Sequence, residues 1–172
     1  MSDRTSEQSK LFHHPLFFNE AFTKEREIDD IKELASIPFL LDFKFQQKKA
    51  GLVVTNELID HLFRLWRSEK EKIAASFKNR DRHAAKPAMI KGIGWFITIL
   101  FWINGQRVAR LTHLVEDCSS LPDQPFNLKE RLIFILENPD HYLAYIQLTE
   151  LYDELEKKWM MNLRKKEHMD RK

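Results

Sequence analysis

A chain of 172 residues fits one domain of ordinary size, long enough to bury roughly 70% of its unfolded surface without a disulfide or metal staple. Its 43% apolar and 12% aromatic content, led by 13 Phe, excludes wholesale disorder, and four Gly with six Pro are too few for a turn-dense β-sandwich or barrel. A single cysteine, Cys118, excludes an intramolecular disulfide, and the net charge of +2 hides segregated stretches of opposite sign.

The opening MSDRTSEQSK is polar and lacks the apolar segment of a secretory signal, so residues 1–10 read as a disordered tail and the expected location is cytoplasmic. Leu11-Phe-His-His-Pro-Leu-Phe-Phe18 is too apolar to stay in water. It is either an arm packed on the domain or a linear motif that docks on a partner. A first helix is expected over Thr23–Ser36, capped by Thr23, with Ile28, Ile31, Leu34 and Ala35 at helical spacing, and Pro38 stops it. Phe39–Phe45 is either a short helix or an irregular segment that pins aromatics into the core, and Gly51 punctuates the loop that follows.

Thr55 or Asn56 caps a second helix over Asn56–Phe77, whose stripe is Leu58, Ile59, Leu62, Phe63, Leu65, Trp66, Ile73 and Phe77. Lys78–Lys86 reads as a polar linker. Pro87 fits the first position of a third helix, where its missing N–H costs nothing, and Gly105 fits the left-handed residue that ends it after Asn104. Between them lies GIGWFITILFWI. A membrane span needs about 20 apolar residues, and here Lys91 in front and Asn104 and Arg107 behind bound a shorter run. The expectation is no span but a central bundle helix, with Gly92 and Gly94 allowing a close helix–helix approach.

A fourth helix is expected over Arg107–Asp117, with Val108, Leu111, Thr112 and Val115 on one face. Asn127-Leu-Lys-Glu130 has the form of a capping box ahead of a short buried helix that ends at Glu137. Asn138 and Pro139 then open a long last helix reaching Lys166, with Tyr142, Leu143, Tyr145, Ile146, Leu148, Leu151, Tyr152, Leu155 and Trp159 at helical spacing. The whole is an all-α bundle of five to six helices around the central helix at about 87–104. Residues 11–160 form the domain, and 161–172 a basic helical end or tail.

Little in the chain carries chemistry. A di-iron bundle needs Glu-x-x-His on two helices, and no such run occurs. His61, His113 and His141 lie on different expected helices, so a metal site would require them to converge. Glu116 and Asp117 beside Cys118 raise its pKa and argue against a nucleophile. No glycine-rich phosphate loop is present, because Gly92-Ile-Gly94 lies inside an apolar helix with no Lys-Ser/Thr sequel. No metal ligand set, cofactor site or catalytic residue is therefore expected. Nine basic residues against three acidic between Arg64 and Lys91, and seven against two from Lys157 to Lys172, could contact phosphates, whereas Lys24–Glu33 is acidic, with three against five. The sequence pI of about 8.6 is low for a dedicated nucleic-acid binder.

Ile99-Leu-Phe-Trp-Ile-Asn-Gly105, Phe126-Asn-Leu-Lys-Glu-Arg-Leu132, Tyr145-Ile-Gln-Leu-Thr-Glu-Leu151 and His14-Pro-Leu-Phe-Phe18 resemble the YpoC-like family of low-GC Gram-positive bacteria, over about residues 11–160. The resemblance implies an intracellular bacterial protein of similar size. It transfers no catalytic residue, since none is established in the family. It implies gene neighbours serving DNA repair and cell-wall synthesis. The resulting expectation is a non-enzymatic interaction or scaffolding module with a protein partner. Nucleic-acid binding and a histidine-containing metal bundle are the alternatives. The candidate interaction residues are His14, Phe17, Phe18, Arg64, Arg67, Trp102, Asn104, Arg107, Asn127, Arg131, Gln147 and Glu150.

Overall fold

A computed structural model describes residues 7, 9–17, 28, 30–46 and 53–171. Among these residues there is no strand; a short helical stretch includes residues 9–11, and seven further helices follow: α1 (Ile31–Ser36), α2 (Leu40–Gln46), α3 (Asn56–Lys78), α4 (Arg82–Ile103), α5 (Leu114–Ser119), α6 (Leu128–Glu137) and α7 (Tyr142–Asp170). The all-α bundle with a long C-terminal helix is the observed architecture. Two helical segments go beyond the expected six: residues 9–11, at the end of the expected disordered tail, and α2, the segment that periodicity left open between helix and irregular chain. It follows Phe39, whose φ of 65° turns the chain sharply after Pro38.

Helix α4 is the centre. It packs against α3, α5 and α7, and every residue from Gly92 to Trp102 is buried. Among the described residues it is the one helix long and apolar enough to cross a membrane, but its apolar surface is consumed inside the bundle. Both glycines are required by that packing. A Cβ on Gly92 would lie 2.6 Å from the Trp66 ring of α3, and one on Gly94 2.6 Å from Pro38. Three polar tips tie the helix to its surroundings: Trp95 Nε1 donates to the Ser36 carbonyl at 2.8 Å, Trp102 Nε1 to Asp42 at 3.0 Å, and the Tyr152 hydroxyl to the Gly92 carbonyl at 2.6 Å. Tyr152 in turn stacks on Trp66, with centroids 4.3 Å apart.

Several expected boundaries move. Helix α4 starts at Arg82, not Pro87, because Asp81 caps it by accepting from the Ala84 N–H at 2.9 Å. The linker shrinks to a tight turn containing Arg80 in the left-handed region, φ 57°. Pro87 then sits in the second turn on the exposed side, where solvent can take the carbonyl that its missing N–H leaves unpaired. The end of α4 is as expected. Gly105 has φ 68°, its N–H donates to Trp102 and that of Gln106 to Phe101, the paired bonds of a Schellman motif.

The helix expected at Arg107–Asp117 is not formed before Leu114. Val108 N–H donates to Asp42 and Leu111 N–H to the Leu11 carbonyl, so long-range acceptors take donors that a helix would have used locally. Asn127 is left-handed, φ 50°, and makes no side-chain cap, so the capping box is absent. Asn138 closes α6 instead of opening α7, donating twice to the Phe134 carbonyl at 3.0 Å, and α7 begins at Tyr142. The Thr55 cap of α3 is present, its hydroxyl accepting from the Leu58 N–H at 3.3 Å. Asp30, in extended conformation, caps α1, so helix does not run through it from the expected start at Thr23, which lies outside the described residues together with Gly51.

Candidate functional site

Three of the residues singled out in the sequence meet at one place. Gln147 and Glu150 sit three apart on α7, and Arg131 reaches them from α6. Its guanidinium donates from Nε to Gln147 Oε1 at 2.9 Å, from Nη1 to Glu154 Oε1 at 2.7 Å and to the Phe126 carbonyl at 3.1 Å, and from Nη2 to Glu150 at 3.4 Å. Glu154 also accepts from the Phe126 N–H at 3.1 Å. The Arg131 side chain is only 15% exposed, and its planar fork joins α7 to the loop before α6, as a lysine could not. Glu154 was missed in the sequence. The signal was present, because 147, 150 and 154 follow the spacing of one helix face.

Beside this brace lies a shallow groove of about 260 Å³ between α6 and α7, lined by Glu130, Arg131, Phe134, Leu143 and Gln147. Leu143 is 57% exposed, and Phe126, whose backbone the brace holds, is 78% exposed. Glu130 at the groove is exposed, as is Glu150 beside it, which pairs with Arg131.

Trp102 and Asn104 mark a second place. Asp42 on α2 is fully buried and accepts at Oδ1 from Trp102 and from the Val108 N–H at 3.1 Å, while Oδ2 has no hydrogen-bond partner among the described residues. Burial pushes its carboxyl up to about 7, opposed by these two hydrogen bonds and by the charge of Arg107. The guanidinium of Arg107 lies over the Phe45 ring, 3.3 Å from its centroid. Asn104 is a clamp: its amide donates to the Leu100 and Asp123 carbonyls and accepts from the Asp123 N–H, all at 2.8–2.9 Å. Trp102, Asn104 and Asp123 form part of the wall of a cavity of about 510 Å³.

The other candidates are dispersed. Phe17 is buried against Phe39, with centroids 5.0 Å apart, and Phe12 packs edge-on to Phe43 at 5.3 Å. The aromatic stretch is thus an arm on its own domain. His14 accepts at Nδ1 from the Leu16 N–H at 3.1 Å, and burial followed by the charge of His13 lowers its pKa. Phe18 lies outside the described residues. Arg64 pairs with Asp60 one turn away, and Arg67 pairs with Glu156 across the α3–α7 seam. Asn127 serves as the left-handed entry to α6.

His61, His113 and His141 do not converge. His61 bonds Ser36 at 3.0 Å, His113 bonds Thr112 at 3.1 Å, and His141 lies beside Asp140. Among the described residues no three His, Cys, Asp or Glu side chains are grouped so as to hold a metal ion. Cys118 is buried, and burial and then Asp117 push its thiol far above the ordinary range. The two basic stretches also separate. Phe77 near the end of α3 packs on Tyr142 and Tyr145 at the start of α7, whereas Asn56 at the start of α3 shares the 510 Å³ cavity with Lys165 and Lys166. The pair is antiparallel, so the basic part of α3 runs away from the basic end of α7.

A family model described as YpoC-like protein matches residues 56–167, which includes the Arg131 brace, the groove and the cavity. Bacillus subtilis (strain 168) has a relative, "Uncharacterized protein YpoC", that is 34% identical over 96 residues, 56% of this chain. The chain spans 58% of that relative's length in the match. No solved structure matches the chain.

Proposed function

The chain belongs to the YpoC-like protein family, and on that premise we propose that it is a non-enzymatic protein-interaction module whose docking face is the α6–α7 groove. What carries the reading is the pairing of a rigid brace with exposed apolar surface. Arg131 spends its donors on Gln147, Glu154 and the Phe126 carbonyl, which orders the face, while Leu143 and Phe126 present bulky apolar groups to solvent. A pre-ordered apolar face loses little conformational entropy on binding. Glu130, exposed at the groove and in no ion pair among the described residues, fits a partner of opposite charge, so the occupant is an amphipathic helix with an apolar stripe and a basic flank.

The test is a photo-crosslinker at position 143 in cells of a related bacterium, compared with Leu143→Glu and with Glu130→Lys. One partner captured at position 143, with its association lost in both variants while their circular dichroism is unchanged, supports the reading. No reproducible partner, or a partner retained by both variants, refutes it. Cross-linking only between copies of the chain replaces the basic helix with self-association.

A further inference from the structure

Asp42 is covered by two parts of the chain that are distant in sequence. On one side is the bundle, where Trp102 of α4 donates its indole N–H to Oδ1. On the other is the connection between α4 and α5. The Val108 N–H donates to the same oxygen, the Gln46 amide of α2 donates to the Ala109 carbonyl, and the Arg107 guanidinium lies on Phe45 of α2. The N-terminal arm rides on that connection. The Leu111 N–H donates to the Leu11 carbonyl at 2.8 Å, Phe12 sets its ring edge-on to Phe43, the neighbour of Asp42, and Phe17 closes the row on Phe39. Phe12, Phe17, Val108 and Leu111 are buried, whereas His13, Pro15, Gln106, Ala109 and Arg110 are exposed. Arm and connection therefore form one thin layer on α2, with no regular helix from 105 to 113.

Beneath this layer Oδ2 of Asp42 has no hydrogen-bond partner among the described residues. A buried carboxylate with an unsolvated, unbonded oxygen is costly, and the neutral acid much less so. Lifting the layer would hydrate it with little loss of structure. Helices α3, α4 and α7 hold together through contacts the layer does not share, such as Tyr152 stacked on Trp66 and bonded to the Gly92 carbonyl. Segments with few anchoring contacts open independently of the core.

We infer that residues 11–17 and 105–113 act as one lid over Asp42, closed while the carboxyl holds its proton and released when it loses it. Release uncovers Phe39 and Phe43 together with the lid's own Phe12 and Phe17. The lid uses none of the residues that line the α6–α7 groove.

Arg107 is the charged group that acts on Asp42, and it favours the anion. Elsewhere on the connection Arg110 is tied to Asp117 and His113 bonds Thr112. On α1, packed against α2, Asp30, Lys32 and Glu33 are exposed, and Lys44 on α2 is half-buried. The stretch of α4 from Gly92 to Trp102 carries no charge. In the arm His13 is exposed, while burial and then the charge of His13 lower the pKa of His14. The signs differ. The Asp42 carboxyl is raised from 3.8 to about 7 under the lid, so opening grows as pH rises between those values and levels off above the second. His14, lowered in the closed arm, favours opening as pH falls.

Hydrogen exchange of the full chain, followed by mass spectrometry between pH 5 and 8.5 and corrected for intrinsic rates, tests the lid. Peptides over 11–17 and 105–113 are expected to be far less protected than those of α3, α4 and α7 at every pH. Their opening, relative to Asp42→Asn in which the His14 titration cancels, should rise about tenfold or more between pH 5 and 7, by the same factor in both peptides, and then level off. Asp42→Ser, equally unable to ionise, is the second variant should the first not fold. Lid peptides as protected as the helices would mean that only global unfolding hydrates the carboxyl, and would overturn the inference. So would an opening with the same pH dependence in the variants, or an arm that opens while the connection stays closed.

Discussion

Replacing Asp42 by asparagine isolates the one buried carboxyl of the described residues and turns its environment into a measurable pH dependence. In the wild type the folded-state pKa is raised from 3.8 to about 7, chiefly by burial. The folded state therefore binds the proton more tightly than the unfolded state. The resulting stabilisation is fully present below pH 3.8 and is lost as pH rises through about 7. The gap between the two values corresponds to ~4 kcal/mol. The asparagine side chain would keep an acceptor for the Trp102 and Val108 N–H groups but could not ionise. Its amide N–H would take the place of the unpartnered Oδ2, at a pH-independent cost of about 1–3 kcal/mol. Urea unfolding of both proteins between pH 4.5 and 8.5 gives a difference curve in which all other titrations cancel. Wild-type stability relative to Asp42→Asn should fall by about 2–4 kcal/mol across that range. A flat difference, or one that rises with pH, would refute the assignment of a destabilised buried anion.

Arg131→Ala should cost about 2 kcal/mol in denaturant unfolding, since it leaves Gln147 and Glu154 without their partner in a partly solvated site. Arg131→Lys should recover little, because a lysine cannot bond both at once. Gly92→Ala and Gly94→Ala should each lower stability by about 1–3 kcal/mol, with Trp66 and Pro38 only 2.6 Å from the added methyl. Gly105→Ala, strained by φ 68° but open to space, should cost about 1 kcal/mol, and thermal melts that reverse this order would contradict the packing account. Cys118 should resist a thiol reagent at pH 8 in the native protein and react stoichiometrically once urea unfolds it. Fast native-state labelling would place the thiol at the surface.

Where a structural feature depends on neighbours in the chain, the amino-acid order alone determined it. The apolar run from Gly92 to Trp102 had to be the buried centre of a helical bundle. The Thr55 cap and the Gly105 ending could be read because each uses donors and acceptors within a few residues of itself. The stripes of α3 and α7 were legible for the same reason, and the spacing of Gln147 and Glu150 already placed them on one face. Tertiary structure decided everything that depended on a distant partner. Arg107–His113 is not helical because its donors go to Asp42 and Leu11, far away in sequence. Trp102, expected at a contact surface, instead holds a buried carboxyl, and the aromatic arm is spent on its own core. The basic stretches of α3 and α7 look alike as composition, but antiparallel packing sends them toward opposite ends of the helix pair, tying Arg67 to Glu156 and leaving Lys165 and Lys166 beside Asn56 at the cavity. Hydrogen bonds within one helical turn are set by local sequence. Burial, ion pairing and the shape of a cavity are set by which helices meet.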